Sequence, residues 1–112
     1  MLKVRFEQKG GSLILRLEGH AGQAEIGHDI VCASCSILAY TVAQFVKDAE
    51  ASGCLKAPAE VVLESGHAVI SCKPTDEMLI DMQNIYLFAE KGFSLLAHNH
   101  PQFVDLKQFG EP

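Results

Sequence analysis

The apolar residues of this chain recur with two different periods, and the switches between them constrain the fold more than any other feature. Leu2, Val4 and Phe6 alternate with Lys3, Arg5 and Glu7, and Leu13, Leu15 and Leu17 form a second row against Arg16 and Glu18. A period of two places alternate side chains on opposite faces of a strand. Lys9-Gly10-Gly11-Ser12 reads as the turn between the rows, so the chain opens with a β-hairpin. From Asp29 the spacing changes to steps of four and three, through Val31, Cys35, Leu38, Val42, Phe45 and Ala49. That is one face of a helix of about 20 residues, closing near Ser52-Gly53, with Asp29 as its expected N-cap.

Alternation returns after Pro58: Val61 and Leu63 stand against Glu60 and Glu64, Ser65-Gly66 turns, and Ala68, Ile70 and Cys72 complete a second hairpin. Thr75 is the expected cap of a second helix, with Asp76 and Glu77 in its first turn and Met78, Met82, Ile85, Ala89, Phe93 and Leu96 as its stripe. Gly92 weakens that helix, and the residue before Pro101 ends it. Phe103 to Gln108 reads as a last short strand. The order ββαββαβ predicts an α+β fold, a two-layer α/β sandwich with a largely antiparallel sheet and two helices.

A chain of 112 residues, 48% apolar, supports a single domain over residues 1–112 and excludes disorder. The formal charge of −5 argues against a direct nucleic-acid partner. No stretch of about 20 uninterrupted apolar residues suggests a membrane span. Lys3, Arg5 and Glu7 break up any leader-like apolar run, so a cytoplasmic location is expected. Cys32, Cys35, Cys54 and Cys72 are then reduced thiols. The helix is also apolar on its back, at Ala33, Ile37 and Tyr40, which implies cover by a second surface.

The segment Gly19-His20-Ala21-Gly22-Gln23-Ala24-Glu25-Ile26-Gly27-His28 has no useful periodicity and reads as a flexible loop. It leads to Cys32, placed by this reading in the first turn of the helix. There the unpaired amides and the macrodipole favour thiolate over thiol, and the amides can stabilise an oxyanion. His20 lies in the loop just upstream. A cysteine with a nearby histidine is the minimum for nucleophilic attack on an amide, the imidazole first serving the sulfur and then protonating the leaving nitrogen. His28 competes with His20 for that role.

The run Gly19-His20-Ala21-Gly22, then Gly27, then Asp29-Ile30-Val31-Cys32-Ala33 and Ser36, resembles the ribosomal-processing cysteine protease (Prp) family of bacteria. The order of the remaining elements, down to Pro101-Gln102-Phe103-Val104, is similar as well. The resemblance implies a cysteine endopeptidase with a His/Cys dyad. It would remove the N-terminal extension of a large-subunit ribosomal protein (bL27 type), whose tail reaches the peptidyl-transferase centre. Carried over by position, Cys32 is the nucleophile, His20 the general base and Asp29 a supporting residue. Gly19, Gly22 and Gly27 give the loop freedom to close on substrate. The family also implies a homodimer, with Ala33, Ile37 and Tyr40 as part of the contact.

Cys35 departs from the family pattern by creating a Cys-x-x-Cys, which admits a thiol redox protein as an alternative. A non-catalytic ribosome-associated binding module is another. His98-Asn99-His100 supplies only two local histidines, too few for a zinc site, and no cofactor or metal is expected.

Overall fold

A computed structural model describes residues 1–20 and 28–112, the side chains of His28 and Asp29 excepted. The element order is β1 (Leu2–Lys9), β2 (Ser12–Glu18), α1 (His28–Ala51), β3 (Glu60–Glu64), β4 (His67–Cys72), α2 (Leu79–Asn99) and β5 (Val104–Lys107). The strands form one sheet in the order β3-β4-β2-β1-β5. Among the described residues only β5 runs parallel to its neighbour, beside β1; the other pairings are antiparallel. This is the α+β arrangement read from the periodicity.

The local chemistry explains each connection. Lys9 pairs with Ser12, and the two residues between them, Gly10 and Gly11, have φ of 57° and 81°. Positive φ at both central positions matches the turn twist to the strand twist, and glycine adopts it freely. At the end of α1, the Cys54 amide donates to the Ala49 carbonyl and the Gly53 amide to that of Glu50, at 2.9 and 3.1 Å. With Gly53 at φ 71°, this is a Schellman closure.

One sheet face and the inner sides of both helices make the core. Val4, Phe6, Leu13, Leu15 and Ile70 from the strands meet Val31, Val42, Val46, Met82, Tyr86 and Phe93 from the helices. The inner face of α1 differs from the predicted stripe. Ala39, Ala43 and Val46 are buried, Leu38 is half-buried, and Phe45 is 47% exposed. The inward face is rotated toward small residues because α1 has both the sheet and α2 to pack against.

Two further expectations are corrected. First, α1 begins at His28, so Asp29 lies inside the helix and does not cap it from outside. Second, α2 begins at Leu79, after Met78, which makes no side-chain cap. The Thr75 carbonyl instead accepts from the Met78 amide at 3.0 Å, forming a turn before the helix. Asp76 pairs with Lys56 at 2.7 Å, and that partner holds its carboxyl below the ordinary range. Helix α1 is long and apolar enough to cross a membrane by length and composition alone, over Ile30–Ala51 at mean hydropathy 1.5, although Gln44, Lys47 and Asp48 interrupt its apolar run as the sequence reading has it. The reason is that it is apolar on two sides: one lies in the core, and the other leaves Ile30, Ile37, Tyr40 and Phe45 exposed.

Candidate active site

Strand β2 ends at Glu18, and the next two residues are held by the backbone on either side. The Gly19 amide donates to the Gly66 carbonyl at 3.0 Å, and the N-terminal ammonium of Met1 donates to the His20 carbonyl at 2.7 Å. Gly19 has φ 95°, and a Cβ there would stand 2.7 Å from the Met1 carbonyl oxygen, so glycine is required twice over. The exposed imidazole of His20 is thereby delivered to the mouth of a cleft of about 410 Å³.

Cys32, Ser36 and Tyr40 from α1 form one wall of the cleft, and the β3–β4 turn forms the other. The structure thus brings His20 and Cys32, separate in sequence, to one cavity. Cys32 is half-buried and is the fifth residue of α1, two residues deeper than the sequence reading placed it. At that depth its own amide is committed to the helix ladder, and the macrodipole, concentrated at the first turn, acts on it less. Helical side chains lean toward the N-terminus, which carries the sulfur back over the turn before it.

Cys35 lies one turn further along and is 2% exposed. Burial pushes its thiol up to about 12, with a smaller contribution from the neighbouring Cys32 sulfur. All four cysteines are free thiols. Cys72 is buried beneath the Tyr86 hydroxyl, which donates to the Ile70 carbonyl at 3.0 Å, and Cys54 is half-buried against the core.

Of the remaining predicted residues, Gly22 and Gly27 lie outside the described residues. Asp29 and His28 are placed on the first turn of α1 by their backbone alone. The sequence reading gave no role to His67, the residue after the Ser65-Gly66 turn. It lines the cleft, and its Nδ1 lies 2.7 Å from Glu18 Oε1, as the pairing of β2 with β4 sets those two residues opposite each other. That pairing joins strands of two different hairpins, so no local spacing signalled it. Among the described residues no three His, Cys, Asp or Glu side chains gather as for a metal. His98 is exposed, and the His100 ring stacks on Phe103 at 6.4 Å between centroids.

A thiol and an imidazole lining one cleft of a five-stranded α+β fold are the side chains that thiol-hydrolase chemistry needs. Residues 1–105 match the family described as Cysteine protease Prp; the chain belongs to that family and is a cysteine-type peptidase. Solved structures share the fold. An essential ribosomal processing protease Prp from S. aureus, in complex with a substrate peptide, is 19% identical with a TM-score of 0.70, over 97% of this chain and 99% of that one. The same protease with a covalently linked product peptide gives 20%, 0.69, 97% and 99%. SMU.848 from Streptococcus mutans is 28% identical with a TM-score of 0.67, over 96% of this chain and 92% of that one. No curated protein matches the sequence.

Proposed function

We propose that this chain is a cysteine endopeptidase that removes the N-terminal extension of a bL27-type ribosomal protein precursor, with Cys32 as nucleophile and His20 as general base. The observation that carries the reading is the convergence of His20 and Cys32 on one cleft in a chain of the Prp family. The S. aureus protease of the same fold is a ribosomal processing enzyme and was crystallised with its peptides, which supports a ribosomal protein as the substrate.

In the proposed reaction His20 takes the thiol proton, and the Cys32 Sγ attacks the scissile carbonyl. The tetrahedral intermediate collapses as the imidazolium protonates the leaving amine, which departs as the mature protein's new N-terminus. Water, deprotonated by the same imidazole, then hydrolyses the thioester and releases the extension with a free carboxylate. Asp29, on the first turn of α1, is a supporting residue in this scheme. The charge of −5 favours encounter with a basic ribosomal tail by weak steering. The site calls for no cofactor. The enzyme acts in the cytoplasm, without direct nucleic-acid or membrane contact, as a homodimer joined through the exposed apolar side of α1.

Incubation with the full-length precursor, read by product mass, tests the proposal. The wild-type chain shortens the precursor at one bond, Cys32→Ser and His20→Ala do not, and Cys35→Ser keeps most of the activity. Equal loss in Cys32→Ser and Cys35→Ser would favour the redox alternative, and an intact precursor with the wild-type chain would favour the binding module.

A further inference from the structure

The ring of His20 rests on the β3–β4 turn. A Cβ built on Gly66 would stand 2.7 Å from His20 Nε2, 3.0 Å from Cε1 and 3.5 Å from Cδ2. One edge of the imidazole therefore occupies the space that any other residue at this position would fill. We propose that Gly66 is a positioning residue for the general base, its bare Cα forming the seat that holds the His20 imidazole at the cleft. The inference rests on the assignment of His20 above and adds what fixes the ring in place.

Two other contacts register this turn against the same part of the chain. The Gly66 carbonyl accepts the Gly19 amide at 3.0 Å, so the backbone before His20 and the ring of His20 both meet one residue. The next residue, His67, is tied to Glu18 at 2.7 Å, directly across the β2–β4 ladder. The turn and the end of β2 are thus fixed to each other, and His20 leaves from that junction.

Turn geometry alone does not account for the contact. Gly66 has φ 78°, but Gly10 at 57° and Gly53 at 71° have comparable backbones and nothing within 4 Å of a built Cβ. Those glycines serve conformation only. At Gly66 a methyl group meets the far end of a surface side chain, which can turn away at little cost to the fold. The same movement displaces the base, and a displacement of about 1 Å at a catalytic group costs up to about 100-fold in rate.

The test compares Gly66→Ala with Gly10→Ala, which share the left-handed backbone cost while only the first meets His20. Cleavage of the full-length ribosomal precursor is measured together with the His20 ring resonances by NMR. In Gly66→Ala, kcat falls by at least about ten-fold with KM nearly unchanged, and the His20 resonances move. Gly10→Ala matches the wild type in both. In a His20→Ala background the added Gly66→Ala has no further effect on residual cleavage. If Gly66→Ala cleaves like Gly10→Ala while His20→Ala is inactive, the seat is refuted and the dyad stands. If His20→Ala cleaves like the wild type, both fall. Should Gly66→Ala fail to fold, the double variant, lacking the ring, must fold; its failure as well would overturn the proposal.

Discussion

Cys32 and Cys35 are three positions apart on one helix and both border the His20 cleft, but they differ in burial. Cys32 is half-buried, whereas Cys35 is 2% exposed and its thiol is pushed up from 9.0 to about 12. The raised value makes a statement about stability. The unfolded thiol ionises near 9.0 and the folded one near 12, so its contribution is complete below pH 9 and is lost as the pH climbs toward 12. The Cys72 thiol and the Tyr86 hydroxyl are raised by burial as well and act in the same direction. A comparison of wild type with Cys35→Ala isolates the first group, because the other two are common to both. Urea unfolding at stepped pH should show wild-type stability falling more steeply above pH 9, by up to about 1.4 kcal/mol per pH unit. Parallel pH profiles would mean that Cys35 ionises as readily in the folded state as in the unfolded chain.

Gly92 shows why element-level reasoning from propensity stops short. In sequence it is a weak point of α2, since glycine costs about 1 kcal/mol relative to alanine inside a helix. In the structure a Cβ there would stand 2.8 Å from both terminal methyls of Leu38, at the crossing of α2 over α1. Gly92→Ala therefore gains helix propensity but crowds Leu38, and overpacking of this kind costs about 1–3 kcal/mol. The single variant should be neutral or destabilised, whereas in a Leu38→Ala background the same change should stabilise by about 1 kcal/mol. A stabilising effect of equal size in both backgrounds would show that the helices do not meet there. The hairpins, both helices and the strand order along the chain were legible because hydrophobic period reports directly on which side of an element is wet. The capping error at Thr75 arose because polar residues near a helix start compete for several roles: Asp76 takes Lys56, and Thr75 offers its carbonyl to a turn. Tyr86 and Glu90 were missed as core residues because each hides its polar end in a bond to the backbone, with the Ile70 carbonyl and the Phe109 amide. The motif identified His20 and Cys32, but their shared cleft needs the β3–β4 turn, which no local spacing encodes.

At the scale of the whole molecule, the sheet and helices bury one side of α1 and leave the other apolar side uncovered. Ile37, Thr41 and Phe45 on α1 face Ile85 and Phe88 on α2 across a groove of about 460 Å³. Phe88 is 80% exposed and Ile37 62%, on a chain whose charge otherwise favours solvation. Contiguous apolar surface of this kind marks a contact face, and the proposed homodimer covers it. Tyr40 is a poor probe of that contact because it also lines the His20–Cys32 cleft, so its replacement disturbs two places at once. Phe88 belongs to the groove alone and stands on the other helix. Sedimentation velocity of the wild-type chain should therefore give a dimer at micromolar concentration. Phe88→Asp, which places a charge in an apolar contact, should raise the dimer dissociation constant by at least about ten-fold while leaving the His20–Cys32 cleft intact. Cleavage that persists in a monomeric Phe88→Asp protein would show that each chain carries a complete site and that the dimer serves stability. Loss of cleavage in step with dissociation would show that the partner completes the site, and a wild-type protein that sediments as a monomer would leave the groove without the occupant proposed for it.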